Sequence, residues 1–319
     1  MTGVQTCALP IYAIPAPHAR PTGDAPGHIW VDGRILPAEV AHLSAFDRGF
    51  QLGDGIFETL RARGGRVTEL REHLVRLQGS ATGLDIRLPV GTGTQISRGI
   101  TALLDIEGLA GPEDDASIRI TVTRGTFTGR GLLPPSAGIA PTIVIQAWPV
   151  SPPPPGHLTE GLHLVVSSIR RDPENPLVAL KTTSRADSVH ARLEARRAGA
   201  DDALFLTLDG HLSEATSANI VLIRGDELAT PALACAILPG TTRSWVLAWA
   251  AGAGLTAVEE WLTTRQLAEA DEAFVCSSVA GILPVTRFDG QPIGDGRPGP
   301  RTMQARADRE AFIRGESAT

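Results

Sequence analysis

Four consecutive prolines, residues 152–155, stand near the middle of this chain of 319 residues. Proline has no backbone N–H and its ring fixes φ, so such a run joins neither the interior of a sheet nor the interior of a helix. The segment SPPPPG, residues 151–156, therefore predicts a stiff extended linker between two domains. We expect a smaller N-terminal domain over residues 29–150 and a larger C-terminal domain over residues 157–319.

Both halves mix predicted strands and helices without a regular βαβ alternation. Asp32-Gly33 and Gly64-Gly65 lie between short apolar runs and predict β-hairpins. Apolar residues recur at helical spacing over residues 70–84. Further helices are predicted at about 94–108, 185–198 and 243–251, and strands at 117–125, 142–150, 162–169, 203–208, 255–261 and 272–277. This mixture predicts two α+β domains rather than a doubly wound sheet.

Residues 1–28 differ from the rest of the chain, and we expect them to be a disordered tail. The first eleven residues, MTGVQTCALPI, resemble the translation of a common sequencing-library adapter fused to an open reading frame. A signal peptide is a poorer interpretation, because no positive segment precedes the short apolar stretch. Residues 13–27 are rich in alanine, proline and glycine, as is typical of disordered segments.

Composition argues against several classes of protein. The formal net charge is −6, and no basic run is interleaved with aromatic residues, so no nucleic-acid partner is expected. No apolar run approaches the length that spans a membrane. The cysteines Cys7, Cys235 and Cys276 are widely spaced and form no metal or redox motif, so neither a metal site nor a disulfide framework is expected. A cytoplasmic enzyme is the default expectation.

Lys181 is the only lysine of the chain, whereas arginine is abundant. Arginine replaces lysine where charge alone matters, but a guanidinium does not deprotonate in proteins and cannot attack a carbonyl as a free amine. Lys181 is therefore a candidate Schiff-base nucleophile. The alternative is a chance survivor on a solvated surface, and composition alone does not separate the two.

Several segments around Lys181 form a recognisable set. The N-terminal half contains DRGFQLGDGIFETLR (47–61) and REHLVRL (71–77), and the C-terminal half contains LSEATSANIVLI, AILPGTTR (236–243) and FVCSSVAGILPV (274–285). In this combination the chain, from about residue 29 to 302, resembles the class IV aminotransferases, which are fold-type IV pyridoxal-phosphate enzymes. That family includes D-amino-acid and branched-chain aminotransferases, (R)-amine transaminases and 4-amino-4-deoxychorismate lyase. The resemblance implies a two-domain fold-type IV structure, with pyridoxal 5′-phosphate between the domains and a homodimeric assembly.

The resemblance also assigns roles around the cofactor, and each role has a chemical reason. Lys181 would bind the aldehyde, and Glu214 would keep the pyridine nitrogen protonated, because a nearby carboxylate favours the charged form. A turn that opens a helix offers free N–H groups to a phosphate. The residues implied for the phosphate and for packing on the ring are Arg76, Thr241, Thr242, Ser277, Ser278 and Leu238. Taken singly, each also fits an ordinary structural position.

The substrate is less constrained by the sequence. Candidate substrate residues are Phe57, Thr59, Arg119, Arg130 and Arg185, where arginine would bind a carboxylate bidentately. If residues 181–185 are helical, Arg185 lies on the same face as Lys181. We expect an aminotransferase that moves an amino group from a D-amino acid, a related amino acid or an (R)-amine to a 2-oxo acid. The absence of a tyrosine just beyond Lys181 counts against a standard branched-chain enzyme. Two alternatives to an aminotransferase remain: a lyase that releases pyruvate from aminodeoxychorismate, and a catalytically idle cofactor-binding protein.

Overall fold

The computed structural model describes residues 26–136 and 138–316. The tail expected over residues 1–28, which includes Cys7, lies outside the described residues except for its last three positions. Strand β1 begins at His28, and the backbone N–H of Gly27 donates to Glu107 Oε2 at 2.7 Å. The first strand therefore begins one residue before the predicted domain boundary.

A six-stranded sheet occupies the N-terminal half. Its strands β1 to β6 span His28–Val31, Arg34–Pro37, Gly55–Arg63, Arg66–Val67, Asp115–Thr123 and Thr142–Pro149. Their order is β2-β1-β6-β5-β3-β4, with antiparallel pairing between the described neighbours. The turns at Asp32-Gly33 and Gly64-Gly65 have positive φ throughout, as tight hairpin turns require, and join β1 to β2 and β3 to β4.

Helices cover one face of this sheet and leave the other face free for the site described below. Helices α1 to α3 span Arg48–Leu52, Leu70–Gly83 and Thr92–Ile106. Leu77 of α2 and Ile100 of α3 are buried in one cluster with Leu60 of β3. Side chains alternate between the faces of a strand, so Phe57 and Thr59 point away from these helices. Because Arg119 of β5 pairs with Thr59, it lies on that same face.

A nine-stranded mixed sheet occupies the C-terminal half. Strands β7 to β15 span Leu162–Arg171, Asp202–Thr207, Leu212–Ala215, Asn219–Arg224, Glu227–Pro231, Thr256–Glu260, Glu272–Ser277, Gly281–Phe288 and Gln291–Pro292. Their order is β12-β11-β10-β13-β14-β7-β8-β9, with β15 beside β14. The pairs β7–β8, β7–β14 and β11–β12 are parallel. The two halves are thus both α+β, as the sequence predicts.

The C-terminal helices connect and cover this sheet. Helices α4 to α8 span Pro155–Thr159, Ala186–Arg197, Thr241–Gly252, Thr264–Ala268 and Pro300–Arg314. Helix α5 connects the parallel strands β7 and β8, and α6 connects β11 and β12. Val246 and Ala250 of α6 are buried with Val221 and Phe274 of the sheet, which fixes the N-terminus of α6 against the strand ends. Within residues 26–136 and 138–316, no helix is both long and apolar enough to cross a membrane.

The structure of the proline run, residues 152–155, differs in part from the predicted extended linker. The segment predicted as an extended linker, residues 151–156, already contains the start of helix α4 at Pro155. Proline is tolerated at the first position of a helix, where its missing N–H would have no intrahelical partner. The extended part is therefore limited to the residues before Pro155.

Helix α8, which the sequence patterns did not predict, joins the two halves. It packs on β13 and β14 of the second sheet and on β3 of the first. Its Glu310 accepts hydrogen bonds from Arg61 of β3 at 2.9 and 3.0 Å. Its Arg309 donates to Glu69, the residue before α2, at 3.0 and 2.7 Å. These ion pairs fix the start of α2 relative to the second sheet.

Candidate active site

Lys181 lies in an extended segment that pairs with the start of β3. The backbone N–H of Phe57 donates to the Lys181 carbonyl at 2.9 Å, and that of Thr183 donates to the Gly55 carbonyl at 2.9 Å. The N–H of Lys181 itself donates to Ser80 Oγ at 3.1 Å. Residues 181–185 are therefore not helical, and the shared helical face considered for Lys181 and Arg185 does not form. Backbone pairing to β3 holds Lys181 in place instead.

The Lys181 side chain opens into a cleft of about 320 Å³ between the two halves of the molecule. That volume lies at the lower end of the range of small-molecule sites. Many of the residues singled out from the sequence line this cleft: Phe57, Thr59, Arg76, Lys181, Arg185, Glu214, Leu238, Thr241, Thr242, Ser277 and Ser278. The first three come from the N-terminal half and the others from the C-terminal half. The structure thus brings together segments that are far apart in the chain.

The Lys181 amine is poised to lose its proton near neutral pH. Burial, reinforced by the positive charge of Arg76, lowers the pKa of Lys181 to about 8, although Glu58 acts in the opposite direction. Lys181 Nζ lies 4.7 Å from the centre of the Phe57 ring, within the range of a cation–π contact. An amine with this pKa can act both as a nucleophile and as a proton carrier.

Arg76 is held by a buried carboxylate that sequence reasoning did not identify. Glu58 is fully buried and accepts hydrogen bonds from Arg76 Nε and Nη2, each at 2.7 Å. His73 Nδ1 lies 2.7 Å from the same carboxylate. Burial raises the pKa of Glu58, but the bonds from Arg76 and His73 outweigh it and lower the pKa to about 2. Arg76 Nη1 also donates to the Pro239 carbonyl at 2.9 Å, which ties α2 to the turn before α6.

Glu214 is a buried carboxylate with several donors around it. It accepts from Arg171 Nη1 at 3.1 Å, from Asn219 Nδ2 at 3.2 Å and from the Leu238 N–H at 3.0 Å. Burial raises the pKa of Glu214, and the positive charge of Arg171 acts against this rise. A protonated ring nitrogen beside Glu214 would favour the ionised carboxylate further.

The first turn of α6 also lines the cleft, through Thr241 and Thr242. Gly240 is the N-cap residue of α6, and no side chain caps this helix end. The N–H groups of the first turn therefore remain available to bind a ligand. Thr241 Oγ1 lies 3.3 Å from Ser278 Oγ and 3.4 Å from His73 Nε2. A Cβ on Gly240 would stand 2.1 Å from Asn219 Oδ1, so only glycine fits this approach. Hydroxyls, N–H groups and the positive end of a helix dipole together suit a phosphate.

The candidate substrate arginines are placed differently. Arg185 lines the cleft and donates to the Thr216 carbonyl. Arg119 stacks over Phe57 at 4.1 Å from the ring centre but does not line the cleft. Burial lowers the pKa of Arg119, and the positive charge of Arg185 lowers it further. Arg130 is exposed in the loop after β5 and lies outside the cleft.

Four functional candidates were not identified from the sequence, namely Glu58, His73, Arg171 and Arg309. A sequence signal exists for Glu58, because a carboxylate in the middle of the apolar strand GIFETL has to find a buried partner. His73 belongs to the segment that carries Arg76. Arg171 and Arg309 each lie far along the chain from the residues that they support, and no local pattern marks them.

The cleft therefore contains the groups that pyridoxal 5′-phosphate requires: an amine with a low pKa, a buried carboxylate and an anion-binding turn. A family model described as amino-transferase class IV matches residues 55–288. The chain belongs to this family, whose members use pyridoxal 5′-phosphate.

Relatives of known name cover most of the chain. A putative branched-chain-amino-acid aminotransferase of Methanocaldococcus jannaschii is 36% identical over 277 residues, which is 86% of this chain and 93% of the relative. The D-alanine aminotransferase of Bacillus licheniformis is 30% identical over 288 residues, which is 90% of this chain and 97% of the relative. The prediction of an aminotransferase is thus confirmed, and relatives of two substrate classes are represented.

Solved structures confirm the fold. The Escherichia coli branched-chain amino acid aminotransferase has a TM-score of 0.84 at 26% identity and covers 91% of this chain and 95% of its own. The branched-chain aminotransferase of the thermophilic archaeon Thermoproteus uzoniensis, solved with norvaline, has a TM-score of 0.81 at 28% identity, with coverage of 93% and 97%. The fold-type IV assignment follows from these matches.

Proposed function

We propose that this enzyme moves the amino group of an α-amino acid with an apolar side chain to a 2-oxo acid, with Lys181 as the amine that holds the cofactor. One observation carries the proposal: the Lys181 amine, the Glu214 carboxylate and the first turn of α6 face a single cleft. The bound cofactor supplies an electron sink for the substrate carbon that loses its proton.

Each residue of the cleft then has a defined task. Thr241, Thr242, Ser278 and Arg76 would hold the phosphate, and Glu214 would accept a hydrogen bond from the protonated ring nitrogen. Lys181 would take the proton from the substrate carbon and return it to the neighbouring position, because its pKa of about 8 lets it exchange a proton near neutral pH. Leu238, at the cleft wall, supplies an apolar surface for the ring.

The arginines support an amino acid rather than a simple amine as donor. Among the described residues, neither Arg119 nor Arg185 donates a hydrogen bond to a carboxylate; Arg119 donates to Thr121 Oγ1 at 3.2 Å and Arg185 to a backbone carbonyl. Arg185 lines the cleft and its hydrogen bond goes to a neutral group, so it favours a ligand with a carboxylate. An (R)-amine has no such group. Phe57 and other apolar residues of the cleft wall suit an apolar side chain.

The assembly is proposed to be a homodimer. An apolar patch on the surface, called here the loop patch, comprises Phe46, Phe50, Leu52, Leu132 and Leu133, all between 43% and 85% exposed. Arg48 of α1 donates to the carbonyls of Gly131 and Leu132 and holds the two parts of the patch together. Apolar surface of this kind marks an interaction site, and a second copy of the chain is the proposed partner.

A donor panel tests the reaction. The purified enzyme is given pyruvate or 2-oxoglutarate with L-leucine, D-leucine or (R)-1-phenylethylamine, or 2-oxoglutarate with D-alanine, and the amino acid product is measured. We expect turnover with an amino acid and none with the amine, and the two enantiomers report the chirality. Release of pyruvate from aminodeoxychorismate, without transamination of any donor, would instead identify a lyase. Cofactor binding without any turnover would identify an idle protein.

A further inference from the structure

Among residues 26–136 and 138–316, Arg309 is the largest of the fully buried side chains, and it contacts Thr242 in the first turn of α6. Its Nη2 lies 3.4 Å from Thr242 Oγ1, and Thr242 lines the cleft. The same guanidinium donates to both carboxylate oxygens of Glu69. The Arg309 guanidinium also lies 5.2 Å from the Trp245 ring and 5.1 Å from the Phe312 ring, within cation–π range.

The ion pair has a fixed direction. Its positive end contacts Thr242 at the cleft, whereas Glu69 lies on the far side, in the wall of a separate groove between α2 and α6. The Arg309–Glu69 pair carries no net charge, but it has a dipole. The positive end of this dipole lies at the first turn of α6, which offers hydrogen-bond donors to a phosphate. The positive end of the α6 dipole lies at the same turn.

Two further observations concern the surroundings of Arg309. Its Nε, like those of Arg171 and Arg243, is buried without a hydrogen-bond partner among the described residues, so the guanidinium is not fully hydrogen-bonded. Burial raises the pKa of Cys276 to about 12; the positive charges of Arg309 and Arg243 act in the opposite direction, and the negative charge of Glu69 acts with burial. The contact of Arg309 with Thr242 places its positive charge next to the cleft wall, which Cys276 also lines.

We propose that Arg309 is a positioning residue of the phosphate site, which orients the Thr242 hydroxyl and adds a buried positive field behind the α6 N-terminus. The inference rests on the proposed cofactor site. Arg309 does not line the cleft, so it acts through Thr242 and through its field. The field favours the doubly ionised form of the phosphate over the singly ionised form.

The test removes the whole ion pair. The double variant Glu69→Gln/Arg309→Met leaves no buried charge unpaired, which is the change that proteins tolerate best. We expect it to bind pyridoxal 5′-phosphate about tenfold more weakly in equilibrium dialysis, while pyridoxal, which lacks the phosphate, binds within about twofold of the wild type. In a 31P NMR titration of the bound cofactor, the midpoint should move to higher pH. Arg309→Lys, which keeps the charge, should restore most of the affinity.

The control is Glu310→Gln, the next residue of α8, which removes the ion pair to Arg61 without contact to Thr242. It should leave the affinity for the phosphate form unchanged. If the double variant does not fold, Glu69→Gln/Arg309→Gln, which keeps a polar side chain at both positions and leaves no charge unpaired, carries the same expectation. Equal losses for both cofactor forms, or an unmoved 31P midpoint, would show a purely structural clamp and overturn the inference. Failure of the wild type to bind the cofactor would overturn the proposed function instead.

Discussion

Lys181 carries the only side-chain amine of the chain, so its replacement has no neighbouring substitute. In Lys181→Arg the charge and much of the length are retained, and we expect the fold to be retained. The guanidinium cannot bind the cofactor covalently at neutral pH, because its pKa lies above about 12. Turnover should therefore fall by about a thousandfold or more, while the cofactor still binds reversibly through the phosphate. Steady-state kinetics and dialysis measure the two effects.

Borohydride reduction provides the complementary measurement on the wild type. Peptide mapping after reduction should find the cofactor on the single peptide that contains Lys181. Labelling confined to the N-terminal amine, or substantial transamination by Lys181→Arg, would contradict the assignment of this lysine.

The acidity of the Lys181 amine gives a pH prediction in the cofactor-free protein. Burial disfavours the charged form and holds the pKa at about 8 instead of 10.5, so the unfolded chain binds more protons than the folded chain between these values. The cost of the buried charge is fully present below pH 8 and disappears as the pH rises through this window. Acylation of Lys181 by a neutral reagent, followed by peptide mapping, should show a midpoint near pH 8. A midpoint near 10.5 would show that the amine is solvated.

Some residues of the candidate site could be predicted from the sequence and others could not. Lys181 stood out by composition, and Glu214 and Thr241 by the segments around them. Arg309 did not, because its partners Glu69 and Thr242 are separated from it by 240 and 67 residues. A side chain that acts through the fold rather than through a local motif leaves no pattern in the sequence.

At the scale of the element, the N-terminus of α6 depends on one glycine. Gly240 has ordinary extended φ and ψ, so alanine fits the backbone, but its Cβ would stand 2.1 Å from Asn219 Oδ1. Asn219 donates to Glu214 and to the Leu238 carbonyl, so its displacement disturbs the ring site as well as the turn. Gly240→Ala should lower the free energy of unfolding by about 1–3 kcal/mol and weaken cofactor binding about tenfold or more. Denaturant titration and dialysis measure both.

The matched control lies at the other end of the same helix. A Cβ on Gly252 would meet no atom within 4 Å, so Gly252→Ala should raise the free energy of unfolding by about 0.5–1 kcal/mol and leave cofactor binding unchanged. Equal cofactor binding by the two variants would contradict the assigned role of the α6 turn.

Elements with a clear period were predictable and those held by tertiary contacts were not. The spacing of Leu70, Leu74 and Leu77 predicted α2 to within a residue at either end. Helix α8 has few apolar residues on any face and is held by ion pairs such as Arg61–Glu310, so periodicity did not indicate it. The segment after Lys181 carried a spacing compatible with a helix, but pairing of Thr182 with Ile56 of β3 prevails. In both cases distant contacts override local preference.

At the scale of the whole molecule, the loop patch adjoins the active site. Gly53, the residue that ends α1, accepts hydrogen bonds from the hydroxyls of Thr183 and Ser184, which follow Lys181 in the chain. A partner seated on the loop patch would therefore border the segment that carries Lys181 and Arg185. Assembly and catalysis are expected to be coupled through this segment.

Substitution in the loop patch tests that coupling. Phe50 and Leu133 are 78% and 85% exposed, so Phe50→Asp/Leu133→Asp removes little packing within one chain but places two buried charges in a dimer contact. We expect light scattering at micromolar concentration to show monomers, together with a loss of turnover and a folded circular dichroism spectrum. Val90→Asp is the control, since Val90 is fully exposed between α2 and α3 and lies outside the patch. A wild type that is monomeric would contradict the proposed homodimer. A double variant that remains dimeric would show that the interface lies outside the loop patch. A monomeric variant with full turnover would show that each cleft is complete within one chain.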